Sequence, residues 1–305
     1  MSLTFIDLFA GIGGFRLGME QASNKCLGYV EIDKFARKSY EAINDTVGEW
    51  TRHDITKVSA AELSRFRGRV DVICGGFPCQ AFSLGGNRRG YEDTRGTLFF
   101  EIARFAKEIQ PQYLFLENVT GLLSHGNGET FRIMLLALEE IGYDVEWQVI
   151  NSRCAGVAHS RDRVFIIGHS RRYSRREIFP IRYSNPPTPV PRTEGFKIIN
   201  NTKQGYDFAT DGDTINIAFP NSNTRRGRVG RGYSQTLDRG CTQAVMDPKT
   251  GKWRRITPRE AWRLQGFPDW AFDKAAAVND DTQLYAQAGN SVTVPVIYEI
   301  AKRLV

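Results

Sequence analysis

The chain has 305 residues, 41% hydrophobic and 25% charged, with a formal net charge of +7. This length fits one large domain or two modest ones, and the composition is that of an ordinary globular protein. It holds no apolar stretch near the ~20 residues that cross a bilayer, and its five cysteines, with no Cys-x-x-Cys pair, argue against a disulfide framework or a zinc site.

Thr4–Phe9 reads as a strand and Phe15–Gln21 as a helix opened by glycines. Asp7 interrupts the start, and no basic segment precedes an apolar core, so no secretory signal is expected and a reducing cytoplasm is. A strand at Leu27–Val30 and a helix at Lys34–Ile43 follow. Val70–Cys74 reads as a strand, Leu98–Ile109 as a helix, Tyr113–Glu117 as a strand and Thr130–Ile141 as a helix. Val145–Ile150 and Val164–Gly168 read as further strands. Such alternation predicts an α/β fold, a Rossmann-like, mostly parallel sheet with helices on both faces. Past Ser170 the texture changes. Residues 170–255 hold 17 Lys and Arg against 7 Asp and Glu, a balance of +10, whereas the remainder balances at −3. Gly, Asn, Thr and Arg dominate there, which predicts a smaller, loop-rich domain of short strands facing a polyanion. Val292–Leu304 is again helical in pattern.

Two residues stand out chemically. Cys79 lies in Gly75-Gly76-Phe77-Pro78-Cys79-Gln80, just past a predicted strand, among turn-forming residues. Cys74, inside the apolar run, reads as an ordinary buried thiol. Glu117 ends the strand that starts at Tyr113. Carboxyl ends of strands are where open α/β sheets bind ligands, so a nucleophile and an acid there form a candidate reaction site. Gly11, Gly13 and Gly14 permit a tight turn and close approach of a ligand. Glu31 follows about twenty residues on, where a carboxylate can take ribose hydroxyls. Arg16 stands where Gly-x-Gly-x-x-Gly, begun at Gly11, needs its third glycine. That speaks against a nicotinamide or flavin dinucleotide.

These segments, in order, resemble the DNA (cytosine-5)-methyltransferase family of bacterial and phage type. They are Asp7-Leu8-Phe9-Ala10-Gly11-Ile12-Gly13-Gly14, Pro78-Cys79-Gln80, Glu117-Asn118-Val119, Arg161-Asp162-Arg163, Thr257-Pro258-Arg259-Glu260 and Gly289-Asn290-Ser291-Val292. The resemblance implies a methyltransferase fold with a catalytic domain over 1–177 and 285–305. A target-recognition domain and hinge would span 178–284. It implies S-adenosylmethionine as cofactor, lined by Phe9, Gly11, Ile12 and Gly14, with Glu31 and Ile32 at the ribose. Asp54 and Ile55 would meet the adenine, and Pro78, Leu98, Asn290, Ser291 and Val292 would complete the pocket. Read by itself, Asp54 suits a turn or helix cap equally well.

The implied reaction has Cys79 add to carbon 6 of a cytosine flipped out of duplex DNA. Glu117 would act at ring nitrogen 3 and Arg163 at the ring carbonyl oxygen, with Arg161 positioning it. The segment 83–96 would be a loop that closes over DNA through Ser83, Arg88, Arg89 and Arg95. Arg225, Arg226, Arg228 and Arg231 would reach phosphates or guanine edges. Thr236-Leu237 resembles a Thr-Leu element of the family's target-recognition regions. One departure is His159-Ser160, where the family usually has Gln and then a basic residue. His159 is given no role. A monomer is expected, without metal or membrane, acting in the cytoplasm beside a cognate restriction endonuclease. The alternative is a transfer-RNA cytosine-5 methyltransferase. That branch usually carries Cys-Phe-Thr, while the only Cys of the variable region here lies in Cys241-Thr242-Gln243.

Overall fold

Strand β1 (Thr4–Leu8) is buried from Phe5 onward, so both its faces are covered, as in a parallel sheet between helical layers. In the computed structural model, which describes residues 2–78, 98–183, 193–200, 203–218, 229–247 and 249–305, there follow α1 (Gly14–Gln21), β2 (Lys25–Val30), α2 (Lys34–Ile43), β3 (Trp50–Arg52) and α3 (Ala60–Leu63). Next come β4 (Val72–Gly76), α4 (Leu98–Ile109), β5 (Tyr113–Val119), α5 (Glu129–Glu140) and β6 (Tyr143–Asn151). The pair β7 (His159–Ser160) and β8 (Asp162–Ser170) precedes a run of short strands. These are β9 (Phe196–Ile199), β10 (Tyr206–Ala209), β11 (Thr214–Asn216), β12 (Val229–Gly230), β13 (Ser234–Gln235), β14 (Gln243–Met246) and β15 (Trp253–Arg255). Helices α6 (Pro258–Leu264), α7 (Asp269–Ala276), α8 (Asp281–Asn290) and α9 (Val294–Leu304) close the described chain.

The chain divides into two units. Unit 1 is Met1–Ile150, Asp162–Arg182 and Val296–Val305, and unit 2 is Asn151–Arg161 and Tyr183–Pro295. The expected breaks at 177/178 and 284/285 differ from these. Residues through Pro295 stay with unit 2 because α8 is bonded to α6: Trp262 Nε1 donates to the Leu284 carbonyl at 3.0 Å, and Gln265 Nε2 to that of Ala288 at 2.7 Å.

Unit 1 carries a seven-stranded sheet in the order β3-β2-β1-β4-β5-β8-β6. Strands β1 to β5 pair in parallel, and β8 lies antiparallel to β5. It is the α/β, mostly parallel architecture that the alternation predicts. Leu114 and Leu116 of β5 join the core beneath α4 and α5, with Phe99, Phe105 and Leu138. Phe115, on the opposite face, meets Phe15 of α1 with ring centroids 5.0 Å apart. Strand order reverses between β1 and β4, so the crevice that such sheets offer to ligands opens at the carboxyl ends of those two strands.

Unit 2 holds a four-stranded sheet, β12-β11-β14-β15, a β9–β10 hairpin, and the short pair β7 and β13. Ala209, Ile215, Val229 and Ala244 form a small core. Trp262 packs against Phe267 and Phe272 among its helices. Among the described residues no helix is long and apolar enough to cross a membrane.

Candidate active site

Behind β1 the backbone turns through two left-handed residues, Phe9 (φ 53°) and Gly11 (φ 56°), and enters α1 past Gly13 (φ 87°). A side chain at Gly13 would meet Asn44 Nδ2 at 3.1 Å and the Tyr40 ring at 3.3 Å. At Gly11 a Cβ would meet nothing within 4 Å, so there the left-handed backbone alone selects glycine. The Gly11 amide donates to Glu31 Oε2 at 2.8 Å, and the other oxygen accepts the Asp33 amide at 2.7 Å. Glu31 is buried, and that burial pushes its carboxyl above the usual range. Ile32 beside it is 71% exposed.

Arg16 is buried, not a surface substitute for glycine. It donates to both Glu49 oxygens at 2.7 and 2.9 Å, to Glu20 at 2.9 Å and to the Asp45 carbonyl at 3.1 Å. It therefore ties α1 to the segment that follows α2.

The other expected cofactor residues of unit 1 are spread over several surroundings. Ile12, Gly14 and Ile55 are buried, and Phe9 and Leu98 lie half-buried against the core. Pro78 is exposed. Asp54 caps a 3-10 turn: its carboxylate accepts the Thr56 amide at 3.0 Å and the Thr56 hydroxyl at 2.7 Å, and these bonds hold its pKa down.

At the carboxyl end of β5, Glu117 meets Arg163 of β8, Nε to Oε1, at 2.9 Å, with both side chains largely buried. Burial holds the Arg163 guanidinium below its ordinary value, opposed by the Glu117 charge. Gly76 of β4 stands opposite Glu117 in the parallel register. Asn118 Nδ2 donates to the Phe77 carbonyl at 2.9 Å, which fixes the exit from β4. Cys79 follows that exit by two residues and lies outside the described residues, as do Ser83, Arg88, Arg89 and Arg95 and the expected loop 83–96. Cys74 is fully buried and its thiol is pushed up by that burial, so it stays an inert core group. Among the described residues no three His, Cys, Asp or Glu side chains group as metal ligands.

Unit 2 holds the remaining candidates. Arg161 is buried and donates to the Ser291 carbonyl at 3.0 Å and the Leu237 carbonyl at 3.4 Å. Asn290 ends α8, Ser291 and Val292 are buried beyond it, and Ser291 also receives Gln265 Nε2 at 3.2 Å. Arg231 is paired with Asp207. Thr236 is exposed and Leu237 buried. Arg225, Arg226 and Arg228 lie outside the described residues. His159 is fully buried and accepts the Leu237 amide on Nε2 at 3.1 Å.

Sequence reasoning passed over one chain of hydrogen bonds in unit 2. Ser152 Oγ meets Thr293 Oγ1 at 2.7 Å, and Thr293 donates to Gln265 Oε1 at 2.9 Å. No spacing rule links residues 141 positions apart. Asn118 was within reach, as a polar residue closing an apolar strand.

The family model for C-5 cytosine-specific DNA methylases matches residues 3–305. The chain is 38% identical to the Type II methyltransferase M1.ScrFI of Lactococcus lactis subsp. cremoris, over 98% of this chain and 77% of that one. It is 35% identical to M.HpaII of Haemophilus parainfluenzae, over 99% and 88%, and 33% identical to M.HhaI of Haemophilus parahaemolyticus, over 98% and 93%. The fold resembles the solved structure of the S. pombe Dnmt2 methyltransferase, with a TM-score of 0.64 at 19% identity over 98% and 97% of the two chains. With a family match spanning nearly every residue, the chain belongs to the C-5 cytosine-specific DNA methylases and is a DNA (cytosine-5)-methyltransferase.

Proposed function

We propose that unit 1 binds S-adenosylmethionine at the carboxyl ends of β1 and β2 and carries the chemistry through Cys79, Glu117 and Arg163. Glu31 offers a carboxylate beside the closely approachable Gly11 backbone, and Ile32 offers exposed apolar surface, a combination suited to a ribose and its base. Phe9, Leu98 and Pro78 extend this lining, and Asp54 offers a carboxylate held ionised by Thr56. When bound, the cofactor supplies an electrophilic sulfonium methyl group.

The observation that carries this reading is the Glu117–Arg163 pair, fixed at a strand end opposite the β4 exit that leads into Cys79. The Cys79 thiolate adds to carbon 6 of the cytosine, forming a carbon–sulfur bond and making carbon 5 nucleophilic. Glu117 delivers a hydrogen bond or proton to ring nitrogen 3, and Arg163 binds the ring carbonyl oxygen. Carbon 5, once methylated, loses its proton to a base, a role water can fill, and the carbon–sulfur bond breaks to release the thiolate. The cytosine has to be swung out of the duplex, at a cost of a few kcal/mol. Unit 2 reads the target sequence, with Thr236 and neighbouring arginines at the DNA. The enzyme acts as a cytoplasmic monomer alongside a cognate restriction endonuclease.

Incubation of the full chain with labelled S-adenosylmethionine and unmethylated duplex DNA tests this. Cys79→Ser should abolish transfer while keeping cofactor affinity, and bisulfite sequencing should place the wild-type product at carbon 5 within one short motif. A serine variant that methylates as fast as the wild type ends the covalent scheme.

A further inference from the structure

The geometry points to His159 as a positioning residue for target recognition, one that sets the Thr236-Leu237 segment by accepting the Leu237 amide. The inference rests on the reading of unit 2 as the part that selects the DNA site.

Strands β7 and β13 pair in parallel over only two steps, His159 with Ser234 and Ser160 with Gln235. So short a ladder cannot fix the residues after it. Side chains continue it instead. His159 Nε2 takes the Leu237 amide at 3.1 Å, Thr236 Oγ1 donates to the Ser160 carbonyl at 2.9 Å, and Arg161 donates to the Leu237 carbonyl at 3.4 Å. The Asp238 carbonyl then packs against Gly289, where any Cβ would collide with it. Leu237 is thereby held inside, and Thr236 stands exposed beside it. A ring nitrogen that accepts a hydrogen bond carries no proton, so the neutral tautomer with hydrogen on Nδ1 is the one that works. This gives a reason for the departure at 159. A glutamine carbonyl oxygen can accept the same amide, whereas an apolar side chain leaves a buried N–H without its acceptor, which is costly.

Losing that bond should loosen how DNA is read and leave the chemistry of Glu117 and Arg163 intact. The test uses plasmid DNA from a methylation-free host, labelled S-adenosylmethionine, and the full-length variants His159→Leu, His159→Gln and Thr236→Val. For each, kcat, the KM values for plasmid and for cofactor, the melting temperature and a bisulfite map are measured. His159→Leu should raise KM for plasmid about tenfold, equivalent to ~1.4 kcal/mol, and spread methylation onto sites one base away from the preferred motif. Its kcat at saturating DNA and its cofactor KM should stay within about twofold of wild type. His159→Gln should restore both plasmid KM and the site map. The inference fails if folded His159→Leu keeps the wild-type map, or if folded His159→Gln is as impaired as the leucine variant. If His159→Leu does not fold, the glutamine rescue and the exposed Thr236→Val decide, the latter being expected to blur the map likewise. A sharp map for Thr236→Val overturns the recognition reading and the inference with it. A blurred Thr236→Val map with a sharp His159→Leu map overturns the inference alone.

Discussion

Asp7 is the most deeply buried acid among the described residues of unit 1. It is fully buried on β1, and that burial raises its pKa well above the ordinary carboxylate value, opposed by the nearby Arg16 charge. The Cys74 thiol approaches its Oδ1 at 3.9 Å. A carboxyl group whose pKa rises on folding favours the protonated form in the native state. Its contribution to stability is therefore whole below the unfolded value of about 3.9 and is lost as pH climbs through the folded value. Asp7→Asn, which cannot ionise, should match the wild type most closely near pH 3.5 and gain on it as pH rises above about 4. Thermal midpoints across that range check this, and a gap that stays constant with pH would refute it. The same environment explains why Cys74 is no rival to Cys79. Desolvation by burial opposes its thiolate.

Helix α6 shows how much of one element can be written in four residues. Thr257 Oγ1 accepts the Glu260 amide at 3.2 Å, Glu260 Oε2 in turn accepts the Thr257 amide at 2.7 Å, and Pro258 occupies the first turn. Thr257→Ala should cost about 1 kcal/mol in urea unfolding. The Glu260 carboxyl is held down to about 2, first by its bonds to Arg254. A lowered carboxylate pKa gives stability that is present above the unfolded value, about 4.3, and lost as pH falls toward 2. In Glu260→Gln that part of the acid sensitivity should vanish from a melting-temperature profile between pH 5 and 2. The capping box is legible in Thr-Pro-Arg-Glu, yet no helix is predicted over α6, α7 or α8. The sequence predicts α2 and α4 over Lys34–Ile43 and Leu98–Ile109, the bounds found, since their apolar residues recur at helical spacing and Asp33 caps the former. Strand β3, three residues between Glu49 and His53, offers no alternation to detect. The two steps of β7 exist only through their partner. In the candidate site, Glu117 was legible as an acid closing an apolar run. Its bond to Arg163 was not, because it depends on β8 lying antiparallel to β5.

At the scale of the whole chain, unit 1 is discontinuous and takes its last part from Val296–Val305. Gly18 of α1 admits α9 closely: a Cβ there would sit 2.6 Å from that of Ile297. Val296, Ile297, Ile300 and Leu304 are all buried. At about 1.5–3 kcal/mol each, these four account for roughly 6–12 kcal/mol, as much as a whole domain keeps in reserve. A chain stopped at Pro295 should therefore lose the cooperative melting of unit 1, and calorimetry that still shows the full transition would contradict the estimate. The order of synthesis then matters. The ribosome delivers β1 to β5 early, but the helix that seals α1 is made only after all of unit 2. A nascent methyltransferase thus waits with apolar surface uncovered, a natural client for chaperones. Only polypeptides translated through Val305 hold every part of unit 1, so prematurely released fragments should carry no methylating activity.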